Sequence, residues 1–585
     1  MERRERHKRL KRYQQEQNLP LDYRGRRWFV MGVLAIAAAA IVVQAVGRQV
    51  FEKDFLQHEG NRRHLSTVKM PAYRGLIKDR RGEVLAVSTP VYSVWLNPRE
   101  ISRDLEDLKP LATALEMKLD ELNAFLDRYA SRAFIFVKRR ASPDVADQIA
   151  ALSREQGMNT FGLQREYRRY YPAGEVFGHV LGFTNIDDQG QEGLELVYNK
   201  VLQGIPGKKH VVRDGKRRVV DDIEQIAAPV DGKDLQLSLD SRLQHIAYRS
   251  LKTAIMQHNA KAGSAVVVDV KTGEILAMVN QPGFNPNGSR SNKNGRLRNR
   301  AVTDAYEPGS TMKPFVVAAG LDYGVLNPGE VIDTSPGWYY IGRAQVKDHH
   351  NLGKINLETL LQKSSNVGAS RISQRIEPSD LFAFLSRLGF GVHTGLNFPG
   401  ESSGVMRDYN RWAEIDRATI SYGYSLSATT LQLAKAYAAL GNDGVVNDLT
   451  LFKTDKPQNP QKVMSANAAR AVVDMLKSVT EKGGTAPLAA VEGYEVAGKT
   501  GTSRKLTAGG YDEKIYRALF AGVAPADNPR LAMAVIVDEP RNEKFYGGDV
   551  AGPVFAEVMS AGLRLYNIPP KLPEGVQIVA VEGKP

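Results

Sequence analysis

Apolar residues in this chain follow three regimes. From Trp28 to Gly47, twenty consecutive residues carry no charge and are rich in Ala, Val and Ile, which is long enough to cross a bilayer as one helix. From Arg48 to about residue 232 the chain is polar, with short strand-like runs, turn signals and no internal repeat. The third regime is more apolar. Ala265-Val-Val-Val and Ile275-Leu-Ala-Met-Val, joined by Lys271-Thr-Gly273, predict two strands and a turn. Phe315-Val-Val-Ala-Ala predicts the buried first turns of a core helix, and Ala518-Leu-Phe-Ala-Gly-Val and Leu531-Ala-Met-Ala-Val-Ile-Val predict two further strands.

Charge gives the first regime a direction. Residues 1–27 hold ten Lys or Arg against four Asp or Glu, and a short basic flank stays cytoplasmic by the positive-inside tendency. Ala45-Val-Gly47 offers a possible signal-peptide cleavage site, but the apolar run exceeds a signal core and the charged tail is long, so a retained anchor is expected. The remainder then lies outside. The net charge of +14 draws six of its units from the tail, and the balance suits an anionic membrane or wall surface. The basic runs lack interleaved aromatics for base stacking, so nucleic acid is not expected as a partner. The absence of cysteine excludes disulfides, thiol catalysis and cysteine-ligated metals, and the ten histidines show no ligand spacing, so no metal is expected.

Candidate chemistry sits in the third regime. Ser310-Thr-Met-Lys313, Ser364-Ser-Asn366 and Lys499-Thr-Gly501 occur in that order, 54 and then 135 residues apart. Each pattern occurs twice, so context must choose. Ser310 follows Pro308-Gly309 and opens the predicted core helix, where a three-residue spacing puts serine and lysine on one face. The backbone amides of a helix start also suit an oxyanion. Ser66-Thr-Val-Lys69 lies in a basic, non-periodic stretch before Pro71, Ser465-Ala-Asn467 opens a predicted helix, and Lys271-Thr-Gly273 is the hairpin turn. Lys499-Thr-Gly-Thr502 fits a sheet edge, where glycine lets a substrate backbone approach.

The three motifs resemble those of the penicillin-binding proteins and serine β-lactamases. The resemblance runs from about Arg48 to Tyr566. Arg74-Gly-Leu-Ile, Leu85-Ala-Val-Ser-Thr-Pro90, Leu361-Gln-Lys-Ser-Ser-Asn-Val-Gly368, Ser421-Tyr-Gly-Tyr-Ser-Leu-Ser427 and Leu563-Arg-Leu-Tyr-Asn-Ile-Pro569 are similar to the class B, cell-division (FtsI) type. Two departures stand out: the charged tail is longer than usual, and Thr430 stands where the family often has proline. The fold implied is α+β. It comprises a cytoplasmic tail (1–27), a transmembrane helix (28–47), a periplasmic pedestal (48–232), a transpeptidase domain of helices flanking an antiparallel sheet (233–566), and a C-terminal tail (567–585).

The resemblance also implies roles. Ser310 would attack the bond between the terminal D-alanines of a peptidoglycan stem pentapeptide, with Lys313 as base and Ser364 as proton relay. Asn366 would orient Lys313 and bond the substrate amide. Lys499, Thr500, Gly501 and Thr502 would form the carboxylate-binding strand, with backbone N–H groups of Ser310 and Thr502 as the oxyanion hole. Arg74, Asp79, Arg168 and Glu195 would hold the pedestal together and to the catalytic domain. Phe177-Gly-His179-Val-Leu-Gly182 lacks the acidic pair that a glycosyltransferase motif needs, so this half is not expected to polymerise glycan. Implied partners are a membrane glycan polymerase of the FtsW type, other divisome proteins, the inner membrane at the septum and inhibitory β-lactam antibiotics; no cofactor is implied. Alternatives within the same motifs are an elongation-type transpeptidase, a D,D-carboxypeptidase, and a non-catalytic β-lactam sensor or divisome scaffold. No convincing deacylating glutamate of the commonest β-lactamase class lies between the second and third motifs.

Overall fold

The computed structural model describes residues 2–16, 24–51, 53, 65–155, 160–213, 219–288, 295–507 and 510–571. The chain falls into two compact units, Met1–Pro71 with Pro206–Pro229, and Ala72–Ile205 with Val230–Pro585.

In the first unit, Arg24–Val50 is the one described helical segment long and apolar enough to cross a membrane, and none of its apolar window is buried in the protein. Strands Leu65–Met70, Gly207–Arg213 and Val219–Ala227 form a three-stranded antiparallel sheet in that order. Ser66-Thr-Val-Lys69 is thus part of a strand, a conformation in which positions three apart do not share a face.

The second unit begins with β1 (Ile77–Lys78), β2 (Val84–Leu96), β3 (Ile135–Ala141) and β4 (Phe161–Tyr170). The long β2 pairs antiparallel with the other three, and β5 (Leu235–Gln236) returns to pair in parallel with β1. A small core of Val94, Leu108, Leu122, Ile149 and Phe161 serves the outer part of this region. The inner part, through Ile77, Leu85, Tyr171 and Phe177, shares one core with Leu237, Val267, Phe315 and Phe555. The core is continuous across residue 232, and Pro206–Pro229 belong to the other unit.

The large core surrounds five strands: β6 (Ala262–Asp269), β7 (Ile275–Gln281), β8 (Ala497–Thr507), β9 (Gly510–Ala524) and β10 (Leu531–Asp538). They run antiparallel in the order β7-β6-β10-β9-β8. Every residue of β6 and β7 is buried, as expected when both faces of a sheet are covered. Successive residues show the two covers. A Cβ on Gly263 would lie about 3 Å from Leu251 and Ile255 of α1 (Ser241–Gln257), whereas Ser264 hydrogen-bonds Thr430 of α5 (Thr430–Gly441). Between these helices in sequence come α2 (Lys313–Asp322), α3 (Leu357–Lys363) and α4 (Asn366–Ser373); α6 (Gly552–Leu565) packs on α1. Two of the repeated patterns have structural roles. Lys271-Thr-Gly273 turns between β6 and β7 with Gly273 at φ +78°, and Ser465 caps a helix by accepting from the Ala468 N–H. The other Lys-Thr-Gly, residues 499–501, lies on β8, the edge of the sheet.

Candidate active site

Ser310 is held on a tight turn. Gly309–Met312 form a single 3₁₀ turn, and α2 begins at Lys313. In 3₁₀ geometry residues three apart eclipse, and Lys313 Nζ lies 3.0 Å from Ser310 Oγ. Neighbouring segments pin the turn. The Gly309 N–H donates to the Gly423 carbonyl at 3.1 Å, and a Cβ on Gly423 (φ +84°) would lie 2.0 Å from the Gly309 oxygen, so only glycine fits there. Tyr437 Oη donates to the Thr311 carbonyl at 2.9 Å.

Ser364 and Asn366 meet the same lysine from the junction of α3 and α4. Ser364 occupies the left-handed region (φ 60°, ψ 45°), a conformation that costs a non-glycine residue about 1 kcal/mol or more and that recurs at functional sites. It turns both its carbonyl and its hydroxyl toward Lys313 Nζ, at 2.5 and 3.0 Å, while Asn366 Oδ1 lies at 2.8 Å. Asn366 Nδ2 donates to the Lys347 carbonyl at 3.0 Å, which fixes the orientation of the amide. Behind it the Asp348 carboxylate accepts from Ser365 Oγ at 2.6 Å, Asn366 N at 2.5 Å and Val367 N at 3.0 Å.

This arrangement accommodates a neutral amine. The Ser364 carbonyl and Asn366 Oδ1 can only accept, whereas the hydroxyls of Ser310 and Ser364 can donate. A neutral Lys313 gives its two hydrogens to the two obligate acceptors and keeps a lone pair for a hydroxyl. Electrostatics agree. Lys313 is fully buried, and its pKa falls well below the usual lysine range, first through burial and then through the charge of Lys499, with Asp348 opposing. Burial pushes Lys499 down to about 7.

Strand β8 presents alternate residues to two surroundings. A Cβ on Gly501 would lie 2.7 Å from the Pro308 carbonyl and 3.0 Å from Thr311, so this position faces the serine turn. The glycine is needed because the nucleophile's own backbone packs there, and substrate approach, the sequence-based reason, is not what the packing shows. On the other face Thr500 Oγ1 pairs with Thr485 Oγ1 at 2.9 Å, and Thr502 Oγ1 accepts from the Gly547 N–H at 3.1 Å. Lys499 Nζ lies 3.3 Å from Thr500 Oγ1. The structure thus gathers Ser310, Lys313, Ser364 and Asn366 around one nitrogen, and Gly501 sets β8 against their turn.

The pedestal network requires one correction. Arg74 and Glu195 are fully buried and paired, with Nη2 2.6 Å and Nε 2.8 Å from Oε2. The second cation on Glu195 is Arg169, whose Nε lies 2.6 Å from Oε1, while Arg168 is exposed. Strand alternation explains the difference: Arg169 shares its face of β4 with Phe161 and precedes buried Tyr171 by two residues. The apolar residues at 161, 163 and 171 were the signal for the odd-numbered face. Buried Asp79 accepts from the backbone N–H groups of Arg81, Glu83 and Ser241 and from Ser241 Oγ, so it ties β1 to the start of α1. Asp348 and Thr485 carry no sequence signal, since neither belongs to a motif.

Parts of the segments delimited by sequence lie outside the described residues, among them 17–23 of the basic tail and 572–585 of the C-terminal tail.

Comparison with known proteins agrees over most of the chain. Residues 263–560 match the penicillin-binding protein transpeptidase domain, and residues 69–237 match the penicillin-binding protein dimerisation domain. The chain is 41% identical to the peptidoglycan D,D-transpeptidase FtsI of Escherichia coli K12, over 92% of this chain and 91% of that protein. It is 40% identical to the probable peptidoglycan D,D-transpeptidase PenA of Neisseria meningitidis serogroup A, over 95% of both. Among solved structures, a peptidoglycan synthetase from Bifidobacterium adolescentis superposes over 88% of this chain and 98% of its own, with a TM-score of 0.69 and 25% identity. The transpeptidase domain of Burkholderia pseudomallei penicillin-binding protein 3 covers 58% of this chain and 98% of its own, with a TM-score of 0.54 and 42% identity. With its three motifs, its edge-strand architecture and these matches, this chain belongs to the penicillin-binding protein transpeptidase family.

Proposed function

We propose that this chain is a serine-type peptidoglycan D,D-transpeptidase of the class B, cell-division type. The observation that carries this is the position of Lys313 Nζ, 3.0 Å from both Ser310 Oγ and Ser364 Oγ and bonded to two obligate acceptors. Neutral Lys313 takes the proton of Ser310 as Oγ adds to the carbonyl carbon of the penultimate D-alanine. The carbonyl oxygen becomes an oxyanion facing the backbone N–H groups of Ser310 and Thr502; the Ser310 turn abuts β8, since a Cβ on Gly309 would lie 3.6 Å from the Thr502 carbonyl. The tetrahedral species collapses, the C–N bond breaks, and the amine of D-alanine leaves with a proton relayed from Lys313 through Ser364. An amine of a neighbouring stem peptide then adds to the ester carbonyl, Lys313 takes its proton, and as the C–O bond to Ser310 breaks Lys313 returns that proton to Oγ, which leaves the serine free and the lysine neutral. Protonated Lys499, with Thr500 and Thr502, holds the terminal carboxylate. β-Lactams acylate the same serine.

The helical segment Arg24–Val50 supports a single-pass inner-membrane anchor, with the basic N-terminus cytoplasmic and the catalytic domain periplasmic at the septum. The proposed partner is a membrane glycan polymerase of the FtsW type, contacted through this helix. Replacing the helix with an unrelated span should preserve acylation and abolish co-purification with that polymerase; unchanged co-purification would sink the partner assignment.

Release of D-alanine from a stem pentapeptide, with and without an added D-amino acid acceptor, tests the activity. Wild type should release D-alanine and partition toward the aminolysis product, and Ser310→Ala should do neither. Release that persists in Ser310→Ala contradicts the assignment, and hydrolysis that ignores the acceptor would identify a carboxypeptidase.

A further inference from the structure

The rim of the central sheet holds a second concave feature that the acyl-transfer chemistry does not use. A cavity of about 360 Å³ opens between the start of β6, the middle of β9, the end of β10, Lys505 of β8 and the segment leading to Ser310. Five cations line it: Lys261, Arg298, Arg300, Lys505 and Arg517. Among the described residues, three carboxylates form ion pairs with them. Arg298 and Arg300 share Asp304, at 3.0 and 2.9 Å. Lys505 and Arg517 share Asp538, at 3.0 and 3.1 Å, and Lys505 and Lys261 share Glu539, at 2.5 and 2.9 Å.

The lining residues carry three more positive charges than negative, five cations against Asp304 and Asp538. Arg517, largely buried, donates its Nε to Asp538 and makes no other hydrogen bond among the described residues, so both terminal nitrogens of a rigid guanidinium fork remain available for a planar oxyanion. The floor adds hydroxyls and no apolar surface of note. Ser264 Oγ and Tyr306 Oη both point to Thr430 Oγ1, at 2.7 and 3.0 Å. An apolar ligand would leave the cations that line the cavity undersolvated, and a cation would be repelled.

We infer that this cavity is a binding site for a compact anion of about two negative charges, bearing carboxylate or phosphate oxygens. The site touches the catalytic parts through the chain. Tyr306 stands four residues before Ser310, and Lys505 stands three residues after Thr502 on the same strand. The inference rests on the charge balance and the free guanidinium edge, and stands apart from the acyl-transfer assignment.

Thermal unfolding of the full-length chain in detergent tests it, titrated separately with inorganic phosphate and with glutarate at ionic strength held constant with chloride. The expected result is a saturable rise in Tm with at least one anion. In Arg517→Gln the apparent Kd should weaken about tenfold or more, as for the loss of a charge-assisted hydrogen bond. Should that variant fold poorly, the double variant Lys261→Gln/Arg298→Gln decides, because both side chains are more than half exposed and their loss should also weaken binding. A response to phosphate alone identifies free phosphate chemistry, and a response to glutarate identifies a carboxylate such as a wall peptide carries. No saturable rise with either anion, or a Kd unchanged in the variants, overturns the site.

Discussion

Lys313 Nζ and Asn366 Oδ1 stand 2.8 Å apart, and the amide is held in that orientation by its bond to the Lys347 carbonyl. The amide oxygen accepts a hydrogen from the lysine without adding a negative charge beside it. Asn366→Asp retains the shape and adds the charge. A carboxylate at that distance favours protonated lysine, so the acid limb of acylation by penicillin should move to higher pH, and the rate near pH 7 should fall about 10²- to 10⁴-fold. A stopped-flow pH profile checks this. A weaker rate with an unmoved acid limb would show that Asn366 acts only by packing.

Lys499 supplies the complementary limb. Its pKa is lowered from the ordinary lysine value to about 7 by burial, so its positive charge is present below that value and is lost as pH rises through it. Second-order acylation of the free enzyme should therefore decline on the alkaline side as the substrate carboxylate loses its partner. The two lysines titrate as a pair, so the limbs report macroscopic values. Arginine stays charged throughout, and Lys499→Arg should flatten the alkaline limb while lowering the maximum rate. An alkaline limb that survives in Lys499→Arg would assign it to another group.

Gly501 sets the distance between β8 and the serine turn. Gly501→Ala places a Cβ 2.7 Å from the Pro308 carbonyl and 3.0 Å from Thr311. The strand must move outward, at a cost of about 1–3 kcal/mol. Acylation should drop by more than about 10²-fold, because the oxyanion donors separate, while Tm should fall by only a few degrees. Near-normal acylation in Gly501→Ala would mean that the turn and the strand tolerate separation.

The pedestal makes the opposite prediction, one of stability without chemistry. Glu195→Ala leaves Arg74 and Arg169 buried without their carboxylate, and an uncompensated buried charge costs about 3–5 kcal/mol. Tm should fall sharply, while protein that remains folded should acylate at the normal rate. Arg168→Ala, at an exposed position, should change stability by no more than about 0.5 kcal/mol. Comparable losses from Arg168→Ala and Arg169→Ala would undo the face assignment.

These sites differ in how far local sequence exposed them. The Ser310 turn was legible because the chemistry depends on a three-residue spacing and on a Pro-Gly start, both local. The repeated patterns were separable for the same reason, since a hairpin turn and a helix cap announce themselves within a few residues. Asp348 was not legible, because its partners lie 17 to 19 residues further on and meet it only after the intervening strand Lys354–Asn356 and α3 fold back. Arg168 and Arg169 are adjacent and chemically identical, so only the buried face of β4 distinguishes them. Continuity of packing across residue 232 was not legible either: composition shifts there, but one core runs from Ile77 to Leu237.

Intact mass of the purified chain after brief exposure to a labelled penicillin tests the central claim most directly, with Ser310→Ala and Ser66→Ala alongside. The geometry predicts one penicilloyl adduct per chain in wild type and in Ser66→Ala, and none in Ser310→Ala. An adduct that survives in Ser310→Ala, or no adduct in wild type, would contradict the assignment of Ser310 and Lys313 as the acyl-transfer pair.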